Sequence, residues 1–130
     1  MLYTYILYTI KRQVMTKSKN RRALDCHVAC SVEIALDIIG GKWKGVILYH
    51  LLSGTKRFSE LQRLIPSVAQ RMLTQQLRQL EEDGIIARTV YPVIPPKVEY
   101  TLTPEGEKLE KLLIQLRDFG RYWSKTQMTF

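Results

Sequence analysis

The change of hydrophobic period after Gly84 constrains the fold of this chain more than any other feature of its sequence. Before Gly84, apolar residues recur every three or four positions, which is typical of amphipathic helices. After it, they alternate as they do in β-strands. The pattern predicts helices over 30–39, 42–52, 58–65 and 68–83, followed by strands over 86–91 and 98–102.

A last helix is predicted from Thr103 to about Lys125, with Thr103 as N-cap and Pro104 in the first turn. Gly106 is its weak point. Its apolar side comprises Leu109, Leu112, Leu113, Leu116, Phe119 and Trp123. With Tyr122, this stripe is broader than a small core needs, so we expect a second copy of the chain to cover it in a homodimer.

This order of elements predicts a mainly α fold with a small β-hairpin, the winged helix-turn-helix arrangement. The helices over 58–65 and 68–83 are joined by a turn too short for them to lie antiparallel. In such a pair, the second helix can enter the major groove of DNA while the first crosses the phosphate backbone.

The charge of the chain favours a polyanionic partner, either nucleic acid or an anionic membrane surface. The net charge is +8, and residues 1–22 hold six basic residues and no acidic ones. Residues 56–78 hold five basic residues against Glu60 alone. The alternative is an ordinary solvated surface. No apolar run approaches the roughly 20 residues that span a bilayer, so no membrane segment is expected.

The helix over 68–83 has two chemically different sides. Leu73, Leu77 and Leu80 are expected to face the core. The opposite side holds the expected base-reading residues Gln70, Arg71, Thr74, Gln75 and Arg78. Arginine pairs with guanine, glutamine pairs with adenine, and threonine can contact the thymine methyl group. The alternative is an exposed polar face without a ligand.

A second set of residues is expected to contact the DNA backbone or the edge of the minor groove, which positions a protein without specifying sequence. It comprises Lys56, Arg57, Ser59, Ser67, Arg88, Pro95 and Lys97. Pro95 and Pro96 have an alternative explanation in turn geometry alone.

Residues 1–25 are expected to form a variable basic arm, and residues 26–130 the winged helix-turn-helix domain with a C-terminal dimerisation helix. Residues 1–14 have two explanations. In the first, translation starts at Met15 and residues 1–14 are an artefact of start-site assignment. In the second, they form a tail that packs on a partner subunit.

Two cysteines, Cys26 and Cys30, are too few for a disulfide scaffold, so we expect a cytoplasmic protein with reduced thiols. Cys30 is expected near the start of the first helix, where backbone amides and His27 lower the thiol pKa. It is then either a redox-sensing thiol or a small buried side chain. Cys26 is a second candidate for redox sensing. Cys26, His27 and Cys30 offer three potential zinc ligands, but a structural zinc site needs a fourth from a second cluster, so neither metal nor cofactor is expected. His50 is expected to be partly buried in the core.

Several motifs, in order along the chain, resemble the HxlR-type regulators, which are related to the MarR group. They are residues 30–44 (CSVEIALDIIGGKWK), 57–61 (RFSEL), 72–84 (MLTQQLRQLEEDG) and 91–103 (YPVIPPKVEYTLT). The resemblance implies a homodimeric transcription factor, often a repressor, that dimerises through its terminal helices. In several members the cysteine near the first helix senses quinones, aldehydes or oxidants. Ser31 replaces the usual proline and Ala69 the usual serine, so Ser67 is expected to cap the helix.

The predicted function is therefore a sequence-specific transcriptional regulator that binds a double-stranded DNA operator. We expect a repressor that leaves DNA when an electrophile or oxidant modifies Cys30. The alternative is a winged-helix module that binds protein and not DNA, which an acidic or apolar face in place of Arg71 and Arg78 would have favoured. An enzyme is not expected, because no phosphate loop, nucleophile elbow, catalytic carboxylate pair or zinc motif occurs.

Overall fold

The computed structural model describes residues 28–128, with side chains from residue 31 onward. The helices are α1 (Val28–Ile39), α2 (Lys44–Leu51), α3 (Phe58–Leu64), α4 (Gln70–Glu82), α5 (Pro104–Glu107) and α6 (Glu110–Met128). The strands are β1 (Lys56–Arg57), β2 (Ile86–Tyr91) and β3 (Lys97–Leu102). The predicted winged helix-turn-helix architecture is confirmed.

The core forms where α2, the α3–α4 pair and the base of the hairpin meet. Its most deeply buried side chains are Ile47, Leu48, Leu51, Leu61, Leu73, Leu77, Leu80 and Ile86. As its apolar sequence predicted, α2 is central. His50, in the same helix, is partly buried, as expected.

The sheet has three antiparallel strands in the order β1-β3-β2. In the hairpin, the register runs from Ile86 opposite Leu102 to Tyr91 opposite Lys97. Strand β1 was not predicted, since Lys56 and Arg57 were expected at the start of the third helix. A two-residue strand shows no period of its own, and β1 forms because β3 offers it a pairing edge.

The end of α4 is fixed by Gly84, as predicted. Gly84 has φ of +89°, a conformation that residues with a Cβ rarely adopt. Its amide donates to the Glu81 carbonyl and the amide of Ile85 to the Leu80 carbonyl, the two bonds of a Schellman motif. The helix therefore ends abruptly and the chain turns directly into β2.

The predicted last helix is two helices, α5 and α6, because the helical conformation is interrupted between Glu107 and Glu110. The Thr103 hydroxyl caps α5 by accepting from the amide of Gly106, as predicted. Gly106 is a requirement more than a weak point, since a Cβ there would overlap the carbonyl oxygen of Ile85.

Two apolar helix faces remain uncovered in the single chain. Beyond Leu113, no described side chain of α6 is buried, and Phe119 and Trp123 are 61% and 53% exposed. Of three apolar residues spaced along one face of α1, Ile39 enters the core, whereas Val32 and Leu36 are over half exposed. No helix within residues 28–128 is long and apolar enough to cross a membrane.

Candidate nucleic-acid interface

Helix α4 presents the predicted polar face to solvent. Leu73, Leu77 and Leu80 are buried, and this anchors one side of the helix in the core. The five residues expected to read bases are all exposed: Gln70, Arg71, Thr74, Gln75 and Arg78. The predicted two-sidedness is confirmed, and α4 offers donors, acceptors and two positive charges along one exposed surface.

One polar group on this face is already partly used within the helix. The Thr74 hydroxyl donates to the Gln70 carbonyl at 2.9 Å, so its proton is not free for a ligand. The methyl group of Thr74 is then the part of the side chain suited to a thymine methyl group. The structure records no comparable use of Arg71 or Arg78.

The start of α4 lacks a side-chain cap. Its N-cap residue is Ala69, in an extended conformation, so the prediction that Ser67 caps this helix is wrong. A methyl side chain cannot accept from the first amides of the helix, and no acidic residue lies in the first turn. These amides and the positive helix end suit a phosphate group. Ala69 in place of serine was the signal for this feature.

Three of the residues expected to contact the DNA backbone lie in strand β1 and helix α3. Lys56 and Arg57 pair with β3, whereas Ser59 lies in the first turn of α3. The Arg57 amide donates to the Glu60 carboxylate at 3.3 Å, which caps α3 and leaves the exposed guanidinium outside the capping interaction. The three residues therefore flank the start of the first helix of the pair.

On the hairpin, the Lys97 side chain interacts with those of Glu99 and Tyr91. Its Nζ lies 2.9 Å from Glu99 Oε1 and 4.9 Å from the centre of the Tyr91 ring. The hydrogen bond from Lys97 is the largest influence on Glu99 and lowers the pKa of that carboxyl group. Sequence reasoning missed Glu99 and Tyr91. The spacing of Lys97 and Glu99, two apart on one face of a strand, was the available signal.

A shallow depression joins α4 to the hairpin. Its lining residues are Thr74, Arg78, Glu81, Arg88 and Tyr100. It brings Arg78, expected to read bases, close to Arg88, expected to contact backbone, while Lys97 and Pro95 lie further along the hairpin. Pro95 is exposed at the hairpin turn, after a cis peptide bond from Ile94.

The cysteines lie at the edge of the described chain. Cys30 is the third described residue of α1, so the helix start predicted at Cys30 is too late. Cys26 and His27 lie outside the described residues. His50 sits beside Tyr49, and burial, followed by the positive charge of Lys56, lowers its pKa.

Residues 38–128 match the HxlR-like helix-turn-helix family. The chain belongs to this family. Its class is therefore that of helix-turn-helix transcriptional regulators, which are DNA-binding proteins and not an enzyme class. The match begins after most of α1 and extends through α6.

Three similar proteins are 37% to 58% identical to this chain over the aligned residues. The chain is 58% identical over 91 residues to the uncharacterized HTH-type transcriptional regulator YdeP of Bacillus subtilis, covering 70% of this chain and 71% of that protein. The redox regulator HypR in its reduced form is 50% identical, with a TM-score of 0.72 over 77% of this chain and 99% of that chain. Reduced YodB from B. subtilis is 37% identical, with a TM-score of 0.61 over 68% and 87%.

Proposed function

We propose that this HxlR-like protein binds a specific DNA operator with α4 in the major groove. The observation that carries the proposal is the exposed row of Gln70, Arg71, Thr74, Gln75 and Arg78 opposite a buried leucine side. Lys56, Arg57, Ser59, Arg88, Pro95 and Lys97 then contact the backbone or minor-groove edge. Phosphate contacts supply affinity for any sequence, and the α4 side chains supply discrimination.

The test is selection of sites from a random duplex library, followed by titration of variants. Arg71→Ala should weaken binding to the selected site by roughly 1–3 kcal/mol and relax the preference at one base pair, since arginine reads guanine with two hydrogen bonds. Lys97→Ala is the contrasting variant, because it should weaken binding to every sequence alike and flatten the salt dependence. An unchanged site preference in Arg71→Ala would show that α4 is not the reading element.

The alternative is a winged-helix module that binds protein and not DNA. The positive charges of Arg71 and Arg78 on a solvated polar face favour DNA over this alternative. Recovery of no enriched sequence, together with no binding to duplex DNA at low salt, would support the module.

We propose that the protein acts as a homodimer. The support is the exposed face of α6, on which the Phe119 and Trp123 rings stack with centroids 6.3 Å apart and stay more than half exposed within residues 28–128. The exposed Val32 and Leu36 of α1 add apolar surface of the same kind. Two copies would place two α4 helices at the roughly 34 Å spacing of successive major grooves.

Light scattering should give twice the chain mass at micromolar concentration. Trp123→Glu should produce a monomer, because it puts a charge in the covered face. Lys125→Glu, which changes an exposed residue two positions along the same helix, should leave the dimer intact. A monomeric wild-type protein would refute the dimer.

We propose that modification of Cys30 releases the dimer from DNA. The support is the likeness to HypR, a redox regulator, and the place of Cys30 in α1, the helix that carries the exposed Val32 and Leu36. Oxidation would join Cys30 of one subunit to a cysteine of its partner. The two thiols give up two protons and two electrons to an oxidant such as diamide. A small rotation of the subunits would then misalign both α4 helices.

Titrations before and after diamide treatment test this in three proteins. Wild type and Cys26→Ser should lose affinity, whereas Cys30→Ser should keep it. An equal response of all three, or none, would mean that the thiol is structural. Protein added to a promoter that overlaps the selected site should lower transcription if the protein is a repressor, and raise it if it is an activator.

A further inference from the structure

The face of the hairpin next to its turn carries three interacting side chains. Tyr91 lies opposite Lys97, and Glu99 follows two positions along β3, so all three project from one face of the sheet. The Lys97 ammonium pairs with Glu99 Oε1 at 2.9 Å and lies over the Tyr91 ring. The Tyr91 hydroxyl donates to Glu99 Oε2 at 3.3 Å. The ammonium therefore has an anionic and an aromatic partner within its own chain.

A second cation approaches the same carboxylate. Arg57 of β1 is the pairing partner of Glu99 across the sheet, and its charge adds to that of Lys97 in lowering the pKa of Glu99. Glu99 thus neighbours both Arg57 and Lys97, two residues that are proposed to contact the DNA backbone. The Lys97 and Glu99 side chains remain 33% and 20% exposed, so a phosphate oxygen can reach the ammonium from solvent.

We propose that Glu99 is an internal counter-charge that competes with DNA phosphates for Lys97 and so limits the affinity for DNA of any sequence. This inference rests on the proposed DNA binding. A solvated ion pair is weak, so a phosphate can replace the carboxylate when DNA arrives. The Glu99 carboxylate stays near Lys97 whether or not the ion pair has opened, and it repels an approaching phosphate. Lys97 therefore contributes less to DNA binding than a lysine without such a neighbour would.

The test compares Glu99→Gln with Glu105→Gln, titrated against a mixed-sequence duplex at several salt concentrations. Glu105 also pairs with a lysine, Lys108 at 3.1 Å, but in α5, outside the hairpin. Both substitutions raise the net charge by one and keep a side chain of the same shape. Glu99→Gln should bind several-fold tighter at low salt, with a plot of log affinity against log salt steeper by up to about 0.9 per bound protomer. Glu105→Gln should keep the wild-type slope.

A second pair of variants separates charge from hairpin shape. Glu99→Asp keeps the charge and should keep a slope near that of wild type. In a Lys97→Met background, Glu99→Gln should lose most of its effect on the slope, because the competing ammonium is gone.

Equal slopes for Glu99→Gln and Glu105→Gln, or weaker binding by Glu99→Gln, would overturn the inference while wild type still binds DNA. Failure of wild type to bind any duplex would instead overturn the proposed function, and this inference with it.

Discussion

The Thr103 hydroxyl group links the segment between α4 and β2 to the start of α5. Its Oγ1 lies 2.6 Å from the Gly84 carbonyl oxygen and 3.0 Å from that of Ile85, just after α4. The same oxygen accepts from the amide of Gly106 at 3.1 Å, which caps α5. Thr103→Val keeps the shape of the side chain and removes all of these interactions.

The cost follows from the groups left without partners. Loss of an N-cap costs about 1 kcal/mol. A part-buried carbonyl that loses its donor adds roughly 1–3 kcal/mol. We expect the free energy of unfolding to fall by about 2–4 kcal/mol, which corresponds to a drop in Tm of roughly 10–20 °C for a domain of about 100 residues.

The assay is thermal and urea unfolding followed by circular dichroism, at one fixed protein concentration because the proposed dimer would make Tm depend on concentration. Thr126→Val is the matched control, since the Thr126 hydroxyl bonds only to the Tyr122 carbonyl of its own helix. It should change stability by less than about 0.5 kcal/mol. Equal effects of the two substitutions would refute the role assigned to Thr103.

Two further predictions concern a glycine and a histidine. Gly106→Ala should destabilise by roughly 1–3 kcal/mol in urea unfolding, because its Cβ would overlap the Ile85 carbonyl oxygen. Gly120→Ala, with open space around its Cβ in α6, should be neutral or stabilising by up to about 1 kcal/mol, and the reverse order would contradict this reasoning. Because folding lowers the pKa of His50, the folded chain binds a proton there less readily than the unfolded chain. Stability should therefore fall as pH drops below about 6.5, and His50→Gln should reduce that fall, whereas an identical pH profile would contradict the assignment.

The helices and the hairpin were predictable because they rest on local signals. The leucines of α4 recur at helical spacing, and Gly84 and Thr103 carry the conformational preferences that end one helix and begin another. Strand β1 was not predictable, because it depends on pairing between Arg57 and Glu99, which are distant in sequence.

The candidate site divides in the same way. The exposed face of α4 follows from periodicity alone. The partners of Lys97 depend on strand register, which places Tyr91 opposite it. The uncapped start of α4 depends on where the helix begins, and Ser67 lies two residues before its N-cap, Ala69. Val32 and Leu36 have the apolar pattern of core residues yet stay exposed, because periodicity identifies an apolar face and not which surface covers it.

The pairing of β1 with β3 has a consequence for the order of folding. Lys56 and Tyr100 come together only after the whole of α3, α4 and β2 has been synthesised. Contacts so distant in sequence form slowly and make the intervening elements fold as one cooperative unit. While β3 is still inside the ribosome, a nascent chain therefore lacks the β1–β3 pairing that supports the start of α3. We therefore expect α4 to become rigid only when the hairpin closes, and, under the proposed DNA binding, no fragment ending before β3 should bind an operator.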